Sequence, residues 1–244
     1  MHPRTCPMRS AARARTMRAM THPIVVTDMD GTLAEAETWR GILAWLAANH
    51  PSREASRFVT VRLPRIAFAK VVRRSKEAFR ARWMEDQARL LAGLSEAEIE
   101  AMGTWIADEH LWPTRRQAAL DAVRATADAV RAANPEARLV LATGAYQPIA
   151  DAFARRIGAD VALGTPLEIV DGVATGAVLA ATQTGAQKAA AVRALAEGGE
   201  VVAAFGDTAA DVPLLLLATR AVAVHPDSEL RVEALARGWT ILEA

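Results

Sequence analysis

The run Ile24-Val25-Val26-Thr27-Asp28-Met29-Asp30-Gly31-Thr32-Leu33 constrains the chain more than any other stretch. It begins with apolar, β-branched residues in unbroken succession, the pattern of a parallel strand buried on both faces. It ends in two aspartates around one apolar residue and turns at Gly31. In open α/β sheets, ligands bind beyond the carboxyl ends of the strands. Residues two apart in extended chain point the same way, so Asp28 and Asp30 begin by facing one pocket. Like charges so close together are costly, and the pair calls for a cation, a shared proton, or both.

The chain has 244 residues, 52% of them hydrophobic, enough to bury one large domain or a core plus an insertion. Aromatics are few and alanine is abundant, so the helices should pack through Ala and Leu. The formal net charge of +1 hides an asymmetry: Arg4, Arg9, Arg13, Arg15 and Arg18 crowd residues 1–22, which hold no acid. The remainder is therefore about −4, and charge alone does not suggest a nucleic-acid binder. The basic segment reads as a transit-like peptide, as an arm for anionic partners, or as an extension upstream of Met20. A disordered extension without catalytic role is the favoured expectation. The single cysteine, Cys6, lies in that segment and forms no intrachain disulfide. No run of eighteen or more apolar residues occurs, so no transmembrane span is expected. Without a secretory h-region, a cytoplasmic location is the default.

After Leu33 the pattern turns helical for nearly a hundred residues. Thr38–Asn49 is periodic, 53–74 is apolar but interrupted at Pro64, and 75–92 is a charged amphipathic helix ended by Gly93. Ser95-Glu96-Ala97-Glu98 carries a capping-box pattern for a helix running to about Leu111. From Pro113 helices and strands alternate: helix 114–133, strand 138–142 ending in a Thr143-Gly144 turn, helix 148–157 and strand 161–163. Segments 167–170 and 173–178 flank Asp171-Gly172, a two-residue hairpin signal. A helix at 187–196, a strand at 201–205, a helix through 214–217, a strand at 221–224, a helix at 228–237 and a strand at 240–242 follow. The expected fold is α/β, a Rossmann-like doubly wound parallel sheet with an inserted all-helical cap. Its expected divisions are residues 1–22 as extension, 23–34 with 113–244 as core, and 35–112 as cap.

Three strand ends deposit polar residues. Beside Asp28 and Asp30 stand Thr143-Gly144, a hydroxyl and an unencumbered backbone N–H suited to phosphate oxygens, and Gly206-Asp207-x-x-x-Asp211. Lys188 sits near a helix start, an unfavourable end for a cation in dipole terms, which favours a site role.

Order and spacing together resemble the haloacid dehalogenase superfamily, specifically its phosphatases. Asp28-Met29-Asp30-Gly31-Thr32-Leu33 looks like the first motif, Thr143-Gly144 the second, Lys188 the third and Gly206-Asp207 through Asp211 the fourth. The helical insertion between the first two motifs resembles the cap class shared with phosphoserine phosphatase. Val173-Ala174-Thr175-Gly176 and Ala223-Val224-His225-Pro226-Asp227 support that branch. The resemblance implies a phosphatase with Asp28 as nucleophile, forming an aspartyl-phosphate, and Asp30 as general acid and base. It implies Mg²⁺ held by Asp28, the Asp30 carbonyl and Asp207, with Asp211 orienting a metal-bound water or Lys188. Thr143, the Gly144 N–H and Lys188 would stabilise the transferring phosphoryl oxygens.

The expected partner is a small-molecule phosphomonoester. Glu37, followed by Thr38, stands where the resembling phosphoserine phosphatases carry a substrate-reading glutamate. The cap arginine those enzymes use on the substrate carboxylate aligns with Gln87, and Ala210 replaces their fourth-motif asparagine, so phosphoserine is not favoured. Residues 53–82 hold ten Lys/Arg against Glu54 and Glu77. That stretch reads as a cap helix with a solvated charged face, in preference to contact with an anionic membrane or a lipid phosphate. A phosphotransferase using the same intermediate and an inactive binding module are the alternatives to hydrolysis. Oligomeric state is not legible.

Overall fold

The opening strand β1 (Ile24–Thr27) is buried along its whole length, as its unbroken β-branched run requires. Ile24 and Val26 join one hydrophobic cluster with Val140 and Ala204, while Val25 joins the opposite one with Leu139, Leu141 and Ala203. Alternate side chains thus feed the two faces of one sheet. The computed structural model describes residues 22–51, 76–179 and 185–243. The expectations for residues 1–21 and for the apolar, basic stretch from 53 to 74 lie outside the described residues.

After β1 come α1 (Thr38–Asn49) and α2 (Lys76–Ala88), the latter extended by a 3-10 turn over Arg89–Leu91. In α3 (Glu96–Trp105) the capping box forms: Glu98 N–H donates to Ser95 Oγ at 3.3 Å and Ser95 N–H to Glu98 Oε2 at 2.8 Å. Next are α4 (Gln117–Ala133), β2 (Arg138–Tyr146), α5 (Gln147–Ile157) and β3 (Val161–Thr165). The hairpin β4 (Leu167–Val170) and β5 (Val173–Val178) turns at Asp171-Gly172, where both residues adopt positive φ. The chain closes with α6 (Gly185–Ala196), β6 (Val201–Gly206), α7 (Val212–Leu215), β7 (Ala218–Val224), α8 (Ser228–Arg237) and β8 (Thr240–Leu242).

Six strands form one sheet in the order β3-β2-β1-β6-β7-β8, with every neighbouring pair parallel. The chain runs outward from β1 through β2 to β3, then returns to β6 on the other side of β1. The order therefore reverses between β1 and β6, which opens a crevice at their carboxyl ends. Among the described residues, no helix is long and apolar enough to cross a membrane.

Two local expectations are corrected, and the expected hairpin takes a position of its own. The Thr143-Gly144 pair does not end its strand in a turn: β2 continues to Tyr146, which pairs with Thr165. The helix after Ser95 becomes π-helical over Ile106–Leu111, and Trp112–Thr114 forms a 3-10 turn, so α4 starts at Gln117 rather than Thr114. The β4–β5 hairpin stands apart from the main sheet. It binds the segment before α3 instead: Gly93 N–H donates to the Ala174 carbonyl at 2.9 Å and Ala174 N–H to that of Leu94 at 2.8 Å.

Candidate active site

At the crevice, Asp28 follows β1 and Asp207 follows β6, while Asp211 ends the 3-10 turn just beyond. Oxygens of Asp28, Asp207 and Asp211 all lie within 4.8 Å of one another. Lys188, on the first turn of α6, is buried with Asp28 and Asp211 and donates to Asp28 Oδ1 at 2.6 Å and to Asp211 Oδ1 at 2.7 Å. The two ion pairs explain a lysine at the unfavourable end of a helix.

Asp211 is fully engaged, its Oδ2 accepting from Thr208 N–H at 3.2 Å and from Thr208 Oγ at 3.1 Å. Among the described residues the Asp207 carboxylate has one hydrogen-bond partner, Thr32, whose hydroxyl lies 3.1 Å from Asp207 Oδ1 and 3.2 Å from Asp28 Oδ2. One hydroxyl proton serves one of those oxygens at a time, so the repulsion between the two carboxylates is only partly relieved.

Asp30 takes a different course. Its carboxylate accepts from Thr38 Oγ and, at 3.3 Å, from Thr38 N–H at the N-terminus of α1. No cation pairs with it among the described residues. Burial, opposed by the Thr38 hydrogen bonds and reinforced by the Asp28 charge, pushes Asp30 up to about 7. Burial and the charges of Asp28 and Asp211 push Asp207 up to about 8. Burial also raises Asp28 against the pull of Lys188. Although burial works the other way, the charge and hydrogen bond of Lys188 hold Asp211 below the usual carboxylate range. Burial would lower Lys188, but Asp211 and Asp28 hold it above its ordinary value.

The ladder from β1 to β2 ends at Leu141 and that from β2 to β3 breaks between Ala142 and Tyr146. Thr143 and Gly144 therefore stand off the paired rungs, at the edge of the same crevice. Thr143 Oγ accepts from Ala145 N–H at 3.1 Å, which leaves its own proton free to donate. A cleft of about 640 Å³ joins these strand ends to Glu37, Trp39, Trp83 and Gln87 from the helices above. Glu37 is exposed and pairs with Arg40 at 3.0 Å. Thus Asp28, Asp207, Asp211 and Lys188 meet, Asp30, Thr143 and Gly144 border them, and Glu37 lies on the cleft wall away from the ionic cluster.

Sequence reasoning missed Thr32 as the bridge between two carboxylates and Thr38 as the holder of Asp30. It read Asp227 as a family mark. The residue caps α8, accepting from Leu230 N–H at 2.7 Å, and its own N–H donates to the Asp207 carbonyl at 2.9 Å.

The crowded carboxylates, one of them with a single hydroxyl for company, suit a hard divalent cation with oxygen ligands, and Mg²⁺ fits that donor set.

The haloacid dehalogenase-like hydrolase family model matches residues 25–216. A phosphoserine phosphatase of Halobacterium salinarum is 31% identical over 208 residues, covering 83% of this chain and 86% of that protein. A phosphoserine phosphatase of Mycobacterium tuberculosis is 39% identical over 159 residues, covering 62% of this chain and 48% of its own length. The chain spans about half the length of the first curated relatives it matches. Among solved structures, a Bordetella pertussis Tohama I protein of unknown function is 26% identical, with a TM-score of 0.72 over 91% of this chain and 99% of that one. Phosphoserine phosphatase in its apo form, 18% identical, has the same fold, with a TM-score of 0.56 over 91% and 94% of the two chains. By the extent of the family match and the near full-length Halobacterium relative, the chain belongs to the haloacid dehalogenase-like hydrolases, in their phosphoserine phosphatase-like branch.

Proposed function

We propose that the chain is a Mg²⁺-dependent phosphomonoesterase working through an aspartyl-phosphate on Asp28, with residues 35–112 as a cap over the site. The observation that carries the reading is the divergence of two carboxylates two residues apart. Burial raises both, but Asp28 is bonded to the Lys188 ammonium, whereas Asp30 has no cation beside it among the described residues, is held by Thr38 and is pushed up to about 7. One is placed as an ionic nucleophile, the other as a group able to give and take a proton near neutrality. A solved phosphoserine phosphatase of the same fold is described as a phospho-aspartyl intermediate analogue, which supports the covalent route.

In the first step an Asp28 oxygen attacks phosphorus, the bond from phosphorus to the ester oxygen breaks, and Asp30 gives its proton to the departing alkoxide. Free alcohol leaves and the acyl phosphate remains. A water then attacks the same phosphorus while Asp30 takes its proton, the bond to Asp28 breaks, and inorganic phosphate departs. Lys188, Thr143 Oγ and the Gly144 N–H face the charge spread over the transferring oxygens. Asp211, with both oxygens engaged, positions Lys188. Asp28, Asp207 and the Asp30 carbonyl would hold Mg²⁺, which when bound supplies positive charge against the repulsion between phosphate and carboxylate.

Phosphate release from a panel of phosphomonoesters, with and without Mg²⁺, tests the reading on the wild type beside Asp28→Asn. Turnover that needs Mg²⁺ and falls by about 10³-fold or more in Asp28→Asn is expected, because the amide is no nucleophile. Turnover that survives Asp28→Asn, or no release by a folded wild type that binds Mg²⁺, would overturn it.

A further inference from the structure

Helix α2 presents Trp83, Met84 and Gln87 to the cleft, residues spaced to share one helix face. Trp83 meets Trp39 of α1 edge-on, with ring centroids 5.5 Å apart. The Met84 carbonyl accepts from the Tyr146 hydroxyl at 2.5 Å, which ties α2 to the end of β2. The Gln87 carboxamide is fully buried, yet neither Oε1 nor Nε2 meets a hydrogen-bond partner among the described residues. Buried donors and acceptors are nearly always paired, because an unmet one loses its hydration and gains nothing in return. Leucine would fill similar space without that penalty. An orphaned amide on the wall of a reaction cleft is explained when its partner arrives with the substrate.

The surroundings narrow what that partner is. A carboxamide is uncharged and offers one acceptor oxygen and two N–H donors side by side. The cations lining the cleft among the described residues are already taken: Lys188 by Asp28 and Asp211, Arg40 by Glu37 while its guanidinium lies 4.7 Å over the Trp39 ring. Among the described residues, a carboxylate on the alcohol half of a substrate would therefore meet indoles and an amide instead of a free positive charge. An uncharged group with its own donor and acceptor, set beside a flat apolar face, matches both Gln87 and the two tryptophans.

We propose that Gln87 is a specificity-determining residue, hydrogen-bonding a neutral polar group on the alcohol half of the phosphomonoester whose apolar face lies against Trp39 and Trp83. The substrate class is then the phosphate ester of a neutral hydroxylated or heterocyclic alcohol, not of an α-amino acid. Sugar hydroxyls and a nucleobase edge both carry this chemistry, and the test separates them.

The inference rests on the phosphatase reading. The experiment compares kcat/KM for pentose and hexose phosphates, nucleoside 5′-monophosphates, phosphoserine and p-nitrophenyl phosphate in wild type, Gln87→Leu and Gln87→Arg. Wild type is expected to prefer a sugar phosphate or a nucleotide over phosphoserine by about tenfold or more. For that preferred substrate, Gln87→Leu should lose about tenfold or more in kcat/KM relative to p-nitrophenyl phosphate on the same variant, chiefly through KM. Its Tm should equal or exceed that of wild type, whereas an amide kept for structure would lower Tm on removal. Gln87→Arg should shift preference toward phosphoserine. Phosphoserine as the best wild-type substrate, an equal loss across all substrates, or a Gln87→Leu that melts well below wild type would each overturn the inference and leave the phosphatase reading standing. A wild type that hydrolyses nothing in the panel overturns the phosphatase reading, and the inference with it.

Discussion

At Gly31 the backbone turns with φ of +82°, and a Cβ built there would stand 2.0 Å from Asp207 Oδ2. Both facts exclude a side chain: the left-handed conformation strains any L-residue, and the carboxylate that faces Asp28 occupies the space. Gly31→Ala should therefore push Asp207 out of register with Asp28. The expected outcome is a fall of about 100-fold or more in kcat/KM, with loss of the Mg²⁺-induced rise in Tm. Unfolding free energy should drop by about 1–3 kcal/mol, read from denaturant melts. A variant with wild-type Tm response to Mg²⁺ would show that the carboxylate had simply swung aside. The residues that surround Gly31 are unevenly legible in the sequence. Asp28, Asp30 and Asp207 stand out because a carboxylate at the end of a buried apolar strand is costly unless a site uses its charge. Thr32 does not, because its role depends on Asp207 approaching across 175 positions of chain, and a threonine after a glycine reads locally as turn. Thr38 has no local signal beyond its place after Glu37, yet it is the residue that holds Asp30.

Between elements, α3 approaches α5 closely at Gly103. A Cβ at Gly103 would lie 2.6 Å from the Pro148 carbonyl oxygen and 2.7 Å from its carbon, so two backbones touch where the helices cross. Because the obstacle is backbone on both sides, Gly103→Ala has no flexible neighbour to displace, and a loss of about 1–3 kcal/mol is expected in a urea melt. Since α5 follows directly on β2, kcat should fall as well, and an unchanged midpoint in urea would refute the packing argument. Helix α1, the β4–β5 hairpin and α8 are legible in the sequence with their observed ends, since amphipathic spacing, Asp171-Gly172 and the Asp227 cap with Gly238 beyond are local signals. The extension of β2 through Thr143-Gly144 is not, because its last rung is a pairing of Tyr146 with Thr165 on another strand. Nor is the π-helical stretch: Met102, Ile106, Ala107 and Leu111 are buried at spacings that an α-helix and a π-turn satisfy about equally well.

Across the whole molecule, the fold gathers Asp28, Asp207 and Asp211 around one lysine at the switch point of the sheet, with Asp30 beside them, and that excess of acid links stability to pH. Without metal, Asp30 is pushed up to about 7 and Asp207 to about 8, each from an ordinary value of 3.8. Between those limits the folded protein binds more protons than the unfolded chain, and stability falls wherever that holds as pH rises. The contribution is whole below about pH 4, and it is lost as pH climbs through about 7 and 8. Asp211 runs the other way, its pKa being lowered, but its loss comes at acid pH below this window. In EDTA, Tm should therefore be higher at pH 5.5 than at pH 8.5. Mg²⁺ replaces the protons as the counter-charge, so it should raise Tm more at pH 8.5 than at pH 5.5 and flatten the slope. Asp207→Asn carries no titrating group at that position and should flatten the slope in EDTA without any metal. A Tm in EDTA that is level or rises from pH 5.5 to 8.5 would mean that the cluster is relieved by some route other than protonation. Its crowded acids would then give no ground for a divalent cation at that position.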